Sequence, residues 1–390
     1  MKDFNLLDPK KLYNNSIFLK KSASNNNFTD LYIKGLHYFY GVDCPINYKE
    51  SFEIFNNINN ESNQTNNAIL LLLGIMYEKG LYVQQMYRKA VEYYKKAAKN
   101  GCAKAYYHLG LLAEQKILDE EDNINAYDDV AFDYYTKAAN LGYSDALAKI
   151  GIIFEQGLLN TQNNQEEAFK MFENSVKIDN NPVGLNGEGN AFYRGIVKEK
   201  NFEMAVELYR RAIHGGNVDA LNNLGLCYEY GLGVEQNNEK ALELYEKGRE
   251  KGHRDAQSNY AILKIKIGIK NNNYSCFSEC FKILQNCTLI SKNKGEIYYY
   301  LRLMCEIGID FFNDGNNIRN HYMAFLHYKK AAEFNYSKAY TKLGICLFNG
   351  IENILMSNVE ASIKMLENGV KYGDSEAQKY LDYIKKNIKE

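Results

Sequence analysis

A unit of about forty residues that returns nearly end to end leaves this chain few folds to choose from. Its cleanest copy reads Ala220-Leu-Asn-Asn-Leu-Gly225-Leu-Cys-Tyr-Glu-Tyr-Gly231-Leu-Gly-Val234, followed by Ala241-Leu-Glu-Leu-Tyr245. Gly35, Gly74, Gly110, Gly151, Gly189, Gly225 and Gly344 hold one position of the unit, and the first six are spaced by 39, 36, 41, 38 and 36 residues. A second glycine recurs six residues on, as Gly41, Gly80, Gly157, Gly195, Gly231 and Gly350. Such units bury their apolar faces against neighbours and grow by length, so 390 residues need not divide into separate globular cores.

Each unit reads as two amphipathic helices. In Leu224-Gly-Leu-Cys-Tyr228 apolar residues return at helical spacing. A glycine inside a helix costs about 1 kcal/mol against alanine, so the first glycine marks a notch where another helix comes close. The second glycine falls where helix A ends, in the left-handed conformation that glycine accepts, and the polar stretch after it turns the chain back into helix B. The spacing predicts an all-α chain, an α-solenoid wound as a right-handed superhelix of about nine antiparallel helix pairs. The repeats start near Phe28, Asn67, Lys104, Asp145, Pro182, Asp219, Asp255, Ile297 and Lys338. Residues 1–27 read as a tail or irregular cap, 28–376 as the solenoid and 377–390 as a capping helix. Repeats seven and eight, about 255–337, are degenerate: Ala261 replaces the first glycine of repeat seven and Ile267 the second.

The pattern Ala-x3-Leu-Gly-x2-Tyr-x2-Gly-x-Gly-Val, then Lys-Ala-x3-Tyr-x2-Ala-Ala-x2-Gly-x3-Ala, resembles Sel-1-like repeats, relatives of the tetratricopeptide repeat. Repeat six carries nearly all of it, including Lys240-Ala241 and Gly252-His-Arg-Asp-Ala256, and repeat two closes with Lys96-Ala-Ala-Lys-Asn-Gly101. Repeat three departs, with Gln115-Lys116 where the second glycine belongs and an acidic insertion from Asp119 to Asp129. The resemblance implies assembly of protein complexes: a non-enzymatic scaffold or adaptor binding partner proteins or peptides in a concave groove. Two alternatives follow from the same family, a regulatory or activator subunit of a membrane-associated enzyme complex and a hydrolase of the cysteine-linked repeat type.

Composition agrees with the first reading. With 47 basic against 48 acidic residues the net charge is -1, which gives no general electrostatic reason to expect nucleic acid or an anionic membrane surface. The longest apolar run, Ala68 to Tyr77, is half a membrane span, so direct membrane insertion is not expected. The N-terminus, Met1-Lys-Asp-Phe-Asn, lacks the apolar core of a signal peptide, which points to a cytoplasmic protein. Asparagine runs at 25–27, 56–67 and 271–273 read as lengthened polar loops.

The six histidines form no His-Glu-x-x-His, and neither a Gly-x-Ser-x-Gly nor a phosphate-binding Gly-x4-Gly-Lys-Ser/Thr occurs, so no catalytic residue, metal or cofactor is expected. The eight cysteines lack the one-pair-per-repeat spacing of the cysteine-linked branch. Cys276, Cys280 and Cys287 share one face of the presumed helix B of repeat seven and read as small buried hydrophobes.

One position suggests a binding site. Four residues after the first glycine position stand Glu78, Glu114, Glu155, Glu229 and, in degenerate repeat eight, Glu306. In tetratricopeptide-like stacking this position faces the concave groove, beside Tyr107, Asn222, Leu226, Tyr230 and Phe348. An acidic ridge among aromatic side chains would suit a peptide or helix bearing a basic segment. The competing expectation is that each carboxylate pairs with a cation of its own repeat or the next.

Overall fold

The computed structural model describes residues 26–61, 66–118, 127–288, 291, 293–306, 317–350 and 356–387. Most of the expected cap at 1–27 and residues 119–126 of the acidic insertion lie outside them. Nineteen helices and no strand occur among the described residues. The chain packs as two compact units, Met1–Glu199 and Lys200–Glu390. In the first, α1 (Asn26–Tyr40) pairs with α2 (Tyr48–Glu61), α3 (Asn67–Lys79) with α4 (Tyr87–Lys99), α5 (Ala103–Glu114) with α6 (Tyr127–Asn140), and α7 (Ser144–Gln156) with α8 (Gln165–Asp179). Helix α9 (Pro182–Arg194) closes that unit against α8 and α7. In the second, α10 (Phe202–His214) precedes the pairs α11 (Asp219–Tyr230) with α12 (Asn238–Glu250) and α13 (Arg254–Lys270) with α14 (Phe277–Cys287). The pairs α15 (Lys294–Glu306) with α16 (Asn317–Glu333) and α17 (Ser337–Asn349) with α18 (Val359–Lys371) follow, and α19 (Ser375–Asn387) packs on the last pair. This is the α-solenoid of helix pairs that the repeat predicts. Odd-numbered helices are the A helices and even-numbered ones the B helices.

The first glycine is a notch for one ring in repeats two, three, four and six, whereas Gly344 of the last repeat faces Leu366. A Cβ built on Gly74 would stand 2.5 Å from Tyr94, on Gly110 2.6 Å from Tyr135, on Gly151 2.6 Å from Phe172 and on Gly225 2.5 Å from Tyr245. Each ring comes from helix B of the same repeat and is buried. In repeat eight the corresponding residue is Arg302, whose guanidinium lies 4.5 Å from the centre of the Tyr328 ring: the pairing of helix A with a helix B aromatic survives by cation-π contact.

The second glycine ends helix A in the left-handed conformation at Gly80, Gly157, Gly195 and Gly231, at φ 64 to 67°, whereas Gly350 ends α17 at φ 71° and ψ 177°, outside the left-handed helical region. Where it is missing the ends differ for a visible reason. Lys116 takes the left-handed turn itself at φ 58° after α5. In repeat seven, Ile267 permits no such stop, and α13 runs on to Lys270, nine residues past Ala261 instead of the usual five. Asparagine does more than lengthen loops: Asn164, Asn201, Asn237 and Asn358 cap α8, α10, α12 and α18, accepting from backbone N–H groups at 2.9 to 3.1 Å.

The cysteine expectation needs one correction. Cys280 and Cys287 are buried in helix α14, but Cys276 precedes the helix as its N-cap residue and is half-buried, because the chain turns at 275–276 before α14 begins. The described cysteines are all free thiols, and no cluster of three His, Cys, Asp or Glu among the described residues is placed to hold a metal.

Candidate functional site

The glutamates at the end of helix A share one geometry. A helix B tyrosine of the same repeat donates its hydroxyl to the carboxylate: Tyr94 to Glu78 at 2.6 Å, Tyr135 to Glu114 at 2.6 Å and Tyr245 to Glu229 at 2.8 Å. A basic side chain on the next repeat's helix A meets the same carboxylate: His108 at 3.2 Å from Glu78, Lys149 at 2.9 Å from Glu114 and Lys266 at 2.9 Å from Glu229. Glu155 lacks the hydroxyl because Phe172 fills the ring notch, and it pairs with Arg194 at 3.0 Å. The carboxylates of Glu78, Glu114 and Glu229 thus each join three helices, two of their own repeat and one of the next, while Glu155 joins its own helix A to that of the next repeat.

Glu78 and Glu229 are each only 6% exposed, so they are not an open acidic ridge. Burial by itself pushes the Glu78 carboxyl up. Hydrogen bonds from His108, Lys79 and Tyr94, with the charge of His108, outweigh burial and hold Glu78 at about 2. Burial and the adjacent carboxylates push the tyrosines Tyr94, Tyr135 and Tyr245 well up, which keeps them hydrogen-bond donors. His108 stacks on Tyr94 with ring centroids 5.0 Å apart.

The remaining predicted residues separate. Asn222 is buried and accepts from Asn259 of α13 at 2.8 Å. Tyr107 packs between repeats, its ring 5.6 Å from Tyr135 and 5.3 Å from Tyr143. Leu226 is half-buried beside the α12–α13 core, and Phe348 is half-buried with its ring 6.4 Å from that of Tyr383 in α19. The Glu306 side chain lies outside the described residues. Tyr230, 53% exposed, is the predicted residue that presents a broad surface to solvent.

Tyr230 stands at the mouth of an open cleft of about 540 Å³ in the second unit, walled by the A helices α11, α13, α15 and the start of α17. Lys266 projects from its floor, with Nζ 2.9 Å from Glu229, 3.4 Å from Glu296 and 5.7 Å from the centres of both the Tyr230 and Tyr300 rings. Burial opposes its charge, but Glu296, Tyr300 and Glu229 together push its ammonium up. Lys270, Tyr336 and Lys338 complete the wall, and Tyr336 lies at the N-cap of α17. The sequence reading passed over Lys266, Lys270, Glu296, Tyr300, Tyr336 and Lys338. A signal was present: Lys266 and Arg194 occupy the repeat position of Tyr230, five residues after the first glycine position, so a search for cations there would have found two of the four partners of the glutamates.

The Sel1 repeat family matches residues 35–56, 70–102, 126–143, 144–177, 187–217, 218–253, 298–333 and 337–381, well over half of the chain. The chain belongs to the Sel1 repeat family. The matched segments pass from residue 253 to 298, leaving out repeat seven, which has lost both glycines, while repeat eight is matched although it carries Arg302 at the notch. Among solved structures, a uropathogenic Escherichia coli protein, c5321, described as a protective antigen displaying an SLR fold, is similar with a TM-score of 0.57 and 19% identity, over 95% of this chain and 82% of its own. A Sel1 repeat protein from Oxalobacter formigenes is similar with a TM-score of 0.50 and 24% identity, over 70% of this chain and 96% of its own. At these identities the likeness is one of fold. Among curated proteins none matches the sequence.

Proposed function

We propose that this Sel1 repeat chain is a non-catalytic scaffold that holds a protein partner against its A helices, with the cleft around Tyr230 as its docking place. The observation that carries this reading is the contrast along those helices. The conserved geometry of Glu78, Glu114, Glu155 and Glu229 is consumed inside the chain, while Tyr230, Lys270 and Lys338 stand open around the cleft. Partly exposed tyrosine beside lysine is the chemistry of an interface anchor, since an aromatic ring contributes large contact area at little entropic cost. No described helix is long and apolar enough to cross a membrane.

Capture from native lysate tests the reading, with the wild-type chain beside a Tyr230→Ala/Lys270→Ala variant that retains wild-type circular dichroism. A protein lost from the variant supports docking in the cleft. Equal capture by both removes the cleft from the reading, and turnover of a peptide, ester or glycan substrate by the purified chain would refute a non-catalytic role.

A further inference from the structure

We propose that the occupant of the Tyr230 cleft is an acidic segment of the partner protein, a step that rests on the scaffold reading above. The lining carries Lys266, Lys270 and Lys338 against Glu229 and Glu296, an excess of one positive charge. The two carboxylates are already engaged, Glu229 by Lys266 and Tyr245, Glu296 by Lys266. Lys270 and Lys338 are exposed and make no ion pair among the described residues, so the positive charge that an incoming chain meets is theirs.

A second feature calls for acceptors. Tyr300 is 6% exposed and lines the cleft, yet its hydroxyl donates to no group among the described residues. A hydroxyl at the surface of an open cleft, with no protein acceptor of its own there, is available to donate to a ligand oxygen. Burial pushes both Tyr300 and Tyr336 up beyond the usual tyrosine range, so both hydroxyls keep their protons and donate at neutral pH. Side-chain carboxylates supply both the negative charge for the lysines and the acceptor for Tyr300. A basic segment supplies neither and would add charge to a lining that is already positive.

The test uses the full chain and two probes, fluorescein-labelled octaglutamate and labelled octalysine, with binding read by fluorescence anisotropy. Octaglutamate is expected to bind saturably and more tightly than octalysine. Lys270→Glu/Lys338→Glu should weaken it about tenfold, as two reversed, partly screened charges imply. Tyr300→Phe, which removes only the hydroxyl, should weaken it about fivefold. Lys282→Glu, an exposed change on α14 outside the lining, should leave it unchanged. The proposal is overturned if octaglutamate fails to bind, if octalysine binds more tightly, if the double reversal has no effect, or if Lys282→Glu weakens binding as much as the double reversal. Failure here with cleft-dependent capture from lysate intact sinks the acidic occupant alone. Loss of both sinks docking in this cleft altogether.

Discussion

Gly225→Ala puts the ring notch to its sharpest test, because helix propensity and packing predict opposite signs. Alanine is favoured over glycine in a helix interior by about 1 kcal/mol, so an unobstructed site would become more stable. At Gly225 the new Cβ would lie 2.5, 2.8 and 3.1 Å from Cε1, Cδ1 and Cζ of Tyr245, where comfortable carbon contacts lie at about 3.5 to 4.0 Å. The ring must therefore withdraw by about 1 Å. It is fully buried, and its hydroxyl is held by Glu229 at 2.8 Å, so withdrawal also strains that bond. Overpacking of this kind costs about 1 to 3 kcal/mol, and weakening a hydrogen bond to a carboxylate about 1.5 more. After subtracting the propensity gain, the net expectation is a loss of about 1.5 to 3.5 kcal/mol. A repeat array opens in parts, so the loss should be read as lowered hydrogen-exchange protection in α11 and α12, beside the urea midpoint of the whole chain. Gly225→Ala/Tyr245→Leu, which shortens the ring side chain, should be more stable than the sum of the two single changes. A Gly225→Ala chain as stable as the wild type, with unchanged protection in α12, would refute the notch.

The carboxylates make two further predictions. Glu229→Ala leaves the Lys266 ammonium facing Glu296 alone and the Tyr245 hydroxyl without its acceptor; Lys266 is partly exposed, so the expected loss is about 1 to 3 kcal/mol, and protection in α13 that stays at the wild-type level would contradict it. Glu78 is held below its ordinary value, so its contribution is fully present above pH 4.5 and disappears as pH falls toward about 2. That displacement corresponds to roughly 3 kcal/mol, and urea unfolding between pH 5 and pH 2.5 should show a smaller pH dependence in Glu78→Gln; parallel curves would mean that the carboxyl titrates normally.

The repeat made the helix count and the phase of the chain legible before any coordinates. The starts read near Asn67, Pro182 and Asp219 are the first residues of α3, α9 and α11, and glycine at two fixed positions announced both the notch and the helix stop. The glutamates were legible as a position, but not as a site. Superposing repeats aligns Glu78, Glu114, Glu155 and Glu229, yet their partners lie 30 to 39 residues away at two different positions of the next repeat, so no local pattern links them. The cleft was hidden for the same reason, being lined from four A helices and from the degenerate repeat that the shared pattern excludes.

By itself the sequence determined that helix pairs stack and where each turns, because propensity, apolar periodicity and glycine act within a few residues of the chain. Tertiary structure decided which charges remain open to a partner. A carboxylate at the end of helix A is equally ready to meet solvent or a neighbour, and only the approach of the next repeat brought His108, Lys149, Arg194 and Lys266 to close four of them. The same packing left Lys270 and Lys338 exposed at the cleft without an ion pair among the described residues, a distinction set by through-space distances of a few ångströms that residue order does not encode.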